Sequence, residues 1–193
     1  MSTTSTQKMK IKYLLLLSML FGLTGCSTKT SLGYTPVIEA QAKNQICVTL
    51  EKFDDVRPKS QQIGALRNGL GMPIIRIVTE DNIPKWVENA LEVELTNAGY
   101  SMVQGRESYI IEGKIIKVFA SSYFIYHGCL IAEITLKKGD EVLFKKTYKN
   151  NEHAGINWIA QASSCAEALK LNLQKMCTQF IADINTELLE STQ

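Results

Sequence analysis

Between Cys165 and Leu188 the chain sets Cys165, Ala166, Leu169, Leu173, Met176, Cys177, Phe180, Ile181, Ile184 and Leu188 at helical spacing. A stripe this long cannot be left in water, since burying one Leu, Ile or Phe side chain contributes about 1.5–3 kcal/mol relative to exposing it. The fold must therefore supply a long apolar surface for this helix to lie on. Ser164 and Glu167 match the S-x-x-E pattern of a capping box and predict its start.

A second stripe, Ile83, Trp86, Val87, Ala90, Leu91, Leu95 and Ala98, predicts another amphipathic helix. Asp81 or Asn82 can cap it, Pro84 falls in the first turn where a missing N–H is tolerated, and Gly99 stands where a helix ends. Ile46, Val48 and Leu50 alternate with Cys47, Thr49 and Glu51, the period of a strand with one buried face. Residues 74–78, 100–103, 109–120, 122–136 and 141–148 predict further strands. Pairing Lys137 with Glu141 across the last turn puts Leu136 opposite Val142, Ile134 opposite Phe144, Ala132 opposite Lys146 and Leu130 opposite Tyr148. This order predicts an α+β fold: a two-layer domain over residues 45–193, with a mostly antiparallel sheet and two amphipathic helices on one face. At 45% hydrophobic and 21% charged residues, the chain has enough apolar material for one such core.

Ahead of that domain, residues 13–23 form an apolar run of about 11 residues, preceded by Lys8, Lys10 and Lys12 and followed by Thr24-Gly25-Cys26. A helix that spans a bilayer needs about 20 residues, so the run reads as a signal peptide over residues 1–25. Leu23-Thr24-Gly25-Cys26 resembles the bacterial lipobox, an aliphatic residue and two small ones before a cysteine. The resemblance implies that the Cys26 thiol takes diacylglycerol in a thioether, that the bond before it is cut, and that the new amine is acylated, commonly with palmitate. Several acyl chains anchor a protein stably where one does so marginally. Ser27, in place of the aspartate that retains such proteins at the inner membrane, implies the outer membrane, with the domain facing the periplasm. Residues 27–44 are small and polar, and read as a coil tether of about 20–25 Å root-mean-square span.

The chain carries 21 basic and 19 acidic residues, and Lys8, Lys10 and Lys12 belong to the removable leader. The remainder is near neutral with no basic stripe, which argues against a nucleic-acid partner.

Phe53-Asp54-Asp55-Val56-Arg57-Pro58, the run from Ile63 to Met72, Trp86-Val87-Glu88-Asn89-Ala90-Leu91 and Glu94-Leu95-Thr96-Asn97-Ala98-Gly99-Tyr100, taken with the lipobox, resemble the YajG-like family of bacterial lipoproteins. The resemblance is best over residues 46–104. It implies a lipid site at Cys26 and no catalytic residue.

Gly64 and Gly69 have the outer spacing of a phosphate-binding loop, but Leu70-Gly71 stands where Lys and Ser or Thr are required. The histidines are His127 and His153; His127 and Cys129 share a strand face and with a remote ligand could hold zinc, or they are a surface imidazole beside a half-buried thiol. Cys165 and Cys177 are about 18 Å apart along one helix and cannot pair. Cys129 and Cys165 fall at the same end of the sheet, although odd-numbered residues there point away from the helices; buried free thiols are the default. Asp54, Asp55, Arg57, Arg67 and Asn68 lie in a long Gly-rich segment, either as turn chemistry or as a partner-binding loop. Trp158 is either a lid on the core or an exposed anchor. The sum is an expectation of a non-enzymatic, cofactor-free lipoprotein that docks an envelope protein or component. The alternative is a lipid-anchored hydrolase or small-ligand carrier.

Overall fold

The computed structural model describes residues 26–44, 46–103, 108–156 and 161–190. The expected signal peptide and Trp158 lie outside them. The strands are β1 (Ser27–Lys29), β2 (Cys47–Leu50), β3 (Asp54–Asp55), β4 (Gln62–Arg67), β5 (Pro73–Val78), β6 (Ser101–Met102), β7 (Tyr109–Tyr123), β8 (Ile125–Lys138), β9 (Glu141–Asn150) and β10 (His153–Ile156). The helices are α1 (Ile83–Asn97) and α2 (Ala162–Glu190).

β7 and β8 form one long antiparallel hairpin that is the spine of the sheet. The other edge of β7 is shared by three short strands, all parallel to it: β2 along Tyr109–Ile111, β3 at Lys114 and Ile115, and β4 along Ala120–Ser122. β4 turns back onto β5, β5 takes β1 in parallel, and β2 takes β6 in parallel. β8 pairs with β9 and β10 on its far edge. The fold is α+β as expected. The sheet, however, is mixed, because the chain walks up one edge of β7 in the same direction as β7 itself.

Two bulges set which side chains face inward. At Ile116 the extra residue in β7 reverses parity, so Ile111 and Ile115 are buried before it, and Val118, Ala120 and Ser122 after it. In β9 the register shifts between Val142 and Phe144, giving Leu136↔Phe144, Ile134↔Lys146, Ala132↔Tyr148 and Leu130↔Asn150. That is two residues beyond the expected register, an even shift that leaves the buried face unchanged.

Asn82 caps α1, its Oδ1 accepting from the Lys85 amide at 3.0 Å, and Gly99 follows the helix at φ 92°. α2 starts at Ala162, two residues ahead of the expected capping box, and Glu167 pairs with Lys170 at 2.8 Å instead of capping. The buried faces of both helices and the inward residues of β7 and β8 form one core. α2 comes close to β8 at Gly128, where a Cβ would stand 2.6 Å from the Ala168 carbonyl oxygen.

The segment expected as a tether is packed. β1 lies on the sheet edge, Leu32 is buried in the core, and residues 31–44 run along α1. Cys165 and Cys177 are buried, while Cys129 is half-buried on the outward-facing parity of β8, so no bond joins Cys129 to Cys165.

Phe180 is fully buried, with its ring 6.0 Å from those of Phe144 and Tyr148 in edge-to-face contact. Phe180→Ala should destabilise by about 3–5 kcal/mol and lower the melting temperature by about ten degrees. A calorimetric shift under about two degrees would mean that the stripe is not core.

Candidate functional site

Three places carry unusual chemistry: the Asp54–Met72 segment, the contact of α1 with residues 31–44, and the pair of histidines.

The first segment is ordered rather than an open loop. Asp54 is exposed in β3, and Asp55 beside it accepts from Arg57 Nε at 2.8 Å and Nη2 at 2.7 Å. Nη2 also donates to the Ser60 carbonyl at 2.7 Å. The Arg57 side chain is 4% exposed, and its Nη1 is buried with no partner among the described residues. Arg57 therefore acts as a strut. Its bidentate bonds hold the Asp55 carboxyl below the ordinary carboxylate range, against the opposing effect of burial. Beside it, Arg57, Pro58, Lys59, Gln62 and residues 116–119 line a groove of about 360 Å³.

Arg67 and Asn68 are elsewhere. Asp55 registers with Ile115 and Leu66 with Ser122, so about 23 Å of β7 separates the two ends. Arg67 Nη1 donates to the Gly71 carbonyl at 2.8 Å, and Asn68 Oδ1 accepts from the Leu70 and Met72 amides, each at 3.0 Å. These bonds build the tip of the β4–β5 hairpin. The five expected residues thus form two structural units and not one surface.

Glu94 was not singled out from the sequence. It sits on the buried stripe of α1 with zero exposure. Its Oε1 accepts from Tyr34 Oη at 2.5 Å and the Val37 amide at 2.8 Å, and Oε2 from the Ile38 amide at 2.9 Å. Burial first, then the neighbouring Cys177 and Glu94, push the Tyr34 phenol far above its ordinary range, so it remains a donor at neutral pH. Around this centre Asp81 Oδ2 accepts from Ser31 Oγ and the Leu32 amide, Trp86 Nε1 donates to Gly33 O at 3.1 Å, and Asn97 Nδ2 to Ile38 O at 3.0 Å. At the end of α1 the Asn44 amide reaches Gly99 O at 2.8 Å, and a Cβ on Gly99 would stand 2.5 Å from Ala42 O. The available signal was the residue type itself: a carboxylate on an apolar stripe needs buried donors.

His127 and His153 meet edge to face across β8 and β10 at 4.4 Å. Burial, with the charge of His153 beside it, holds His127 below its ordinary value. Among the described residues no group of three or more His, Cys, Asp or Glu is placed to hold a metal ion. Cys26 is exposed, and its carbonyl accepts from the Arg76 amide at 3.0 Å.

No family model matches the chain and no curated protein matches it. Among solved structures it is similar to a Xanthomonas campestris protein of the DUF330 family, at TM-score 0.62 and 10% identity, over 86% of this chain and 99% of that one. It is also similar to an uncharacterised protein at TM-score 0.55 and 8% identity, over 80% of this chain and 99% of that one. At these identities the likeness establishes the fold alone.

The Asp55–Arg57 pair gives a pH prediction. A carboxyl depressed in the folded state contributes stability above its unfolded value, ordinarily 3.8, and loses it as pH falls through the lower folded value. Arg57→Ala should therefore cost about 1.5–3 kcal/mol at pH 6, with the gap between the two proteins' urea midpoints narrowing below about pH 4. A gap independent of pH would mean that the bidentate pair contributes nothing.

Proposed function

We propose that this chain is a lipid-anchored lipoprotein of the bacterial envelope, attached through Cys26 to the outer membrane with its domain facing the periplasm. Its role on this reading is to dock an envelope protein or component, without catalysis and without a cofactor. The observation that carries it is the order of Lys8, Lys10 and Lys12, the apolar run and Leu23-Thr24-Gly25-Cys26. An exposed Cys26 immediately ahead of β1 is compatible with modification at that thiol. The resemblance to the YajG-like lipoproteins supports the same reading. On it the domain is two-layered: the helices cover one side of the sheet, and Lys137–Glu112 and Lys145–Glu133 pairs lie on the other.

A protein partner would meet Asp54 at the β3 end of the segment, since Asp55 and Arg57 are engaged with each other and Arg67 and Asn68 build the hairpin tip about 23 Å away. The alternative, a lipid-anchored hydrolase or ligand carrier, would be favoured by a continuous apolar pocket ringed by His127 or His153 and a carboxylate. His127 and His153 instead pack on each other, and the groove at Arg57 is lined by neither.

The test is Cys26→Ser followed by fractionation and mass spectrometry. The parent should partition into detergent with a mass increase equal to its acyl groups, and the variant should remain as full-length precursor or appear unlipidated in the aqueous phase. A variant still cut before residue 26 and fully partitioned into detergent would contradict the anchor.

A further inference from the structure

Two hairpin tips meet at one end of the sheet. The β4–β5 tip carries Leu70 and Met72, with Ile74 just inside β5, and the β7–β8 tip carries Tyr123 and Phe124. Tyr123 Oη donates to the Gly69 carbonyl at 3.3 Å, and the Tyr123 and Phe124 rings stand edge to face at 4.4 Å. Leu70 is 82% exposed, Phe124 67%, Met72 54% and Ile74 51%. Exposed apolar side chains grouped at one end of a sheet mark an interaction site with a protein or a membrane.

Phe124 adds a second sign. Tyr123 pairs directly with Ile125, so the single residue between them takes φ 63°, a left-handed conformation that glycine or asparagine adopts with little strain. A bulky aromatic ring held there projects outward at a conformational cost, and such cost concentrates at functional sites.

Position and charge identify what covers the tips. β1 runs parallel to β5 with Ser27 level with Arg76, which puts Cys26 level with Ile75, about 10 Å along the strand from Met72. Residues 65–76 and 119–131 contain Arg67, Arg76 and His127 and no carboxylate, which suits an anionic headgroup layer. The opposite end of the β8–β9 hairpin instead carries Lys137, Lys138, Asp140 and Glu141. Because residues 31–44 are bonded along α1, they give the lipidated residue no slack with which to lift the domain away.

We propose that the tips bearing Leu70, Met72, Ile74, Tyr123 and Phe124 rest in the headgroup region of the bilayer that holds the Cys26 lipid, so that the domain is seated on the membrane in one orientation. This rests on the lipid-anchor reading. An interfacial apolar surface enters the headgroup and acyl boundary by about 5–10 Å, a depth within reach of projecting side chains at a hairpin tip.

The experiment uses the mature lipidated protein in vesicles of phosphatidylethanolamine and phosphatidylglycerol containing a phospholipid with a photoreactive group near its headgroup. In protein that floats with the vesicles, label mapped by mass spectrometry should fall on residues 68–76 and 122–125 at least fivefold above residues 137–143. Leu70→Ser combined with Phe124→Gly should keep the melting temperature within a few degrees and still float, while label at Met72 and Ile74 falls fivefold or more. Floating protein labelled evenly, or labelled equally in the double variant, overturns the seating and leaves the anchor standing. Unlabelled tips that instead crosslink to a second copy of the chain assign the patch to self-association and overturn it as well. Lipidation that is absent, with protein that does not float, overturns the anchor and the seating together.

Discussion

A carboxylate in a protein core must find donors on every side, and Glu94 finds its donors in the segment that precedes β2. Residues 31–44 bury Leu32 in the core and pack Tyr34 and Ile38 against it, while the rest of the segment is mostly exposed. Tyr34 Oη and the Val37 and Ile38 amides converge on the two oxygens of Glu94, while Asp81 and Asn97 take up the segment on either side. Leaving a buried donor or acceptor unmet costs about 1–3 kcal/mol. Several such groups on each side of the contact therefore make it one cooperative unit, and the N-terminal segment becomes part of the domain.

That contact sets the geometry of everything ahead of it. With residues 31–44 fixed along α1, β1 is delivered to the edge of β5, and Cys26 arrives beside the β4–β5 hairpin. A chain lipidated at Cys26 would then have its attachment point, two arginines and five exposed apolar or aromatic side chains at one end of the sheet. A flexible tether would have made that coincidence irrelevant.

The parts of the fold written in local periodicity were legible. The stripes of α1 and α2, the alternation in β2 and the β8–β9 hairpin each repeat within a few residues, and the Asn82 cap and Gly99 end are local chemistry. The bulges at Ile116 and Leu143 were not, since an extra residue resembles its neighbours in sequence and shows itself only by what it pairs with. Nor were the parallel partners of β7, which are specified by contacts between distant segments. Among candidate site residues, Leu23-Thr24-Gly25 lie outside the described residues and Cys26 is exposed, so the lipobox stands as a proposal drawn from consecutive residues. Asp55 and Arg57 admitted both a strut and a binding surface until their distances were known. Residues 31–44 read as coil because their order is owed to Glu94, Asp81 and Asn97. Phe124 fell inside the expected strand 122–136, whereas the turn lies at Phe124 itself, and its backbone conformation leaves no trace in the sequence.

The most direct test of this account is amide hydrogen exchange over residues 31–44 in the intact chain and in Glu94→Ala. The Val37 and Ile38 amides of the parent should exchange at least a hundredfold more slowly than those of an unstructured peptide. In the variant that protection should collapse across the segment while β7 and β8 keep theirs. Val37 and Ile38 amides that exchange freely in the parent would contradict it, because the N-terminal segment would then be a tether after all.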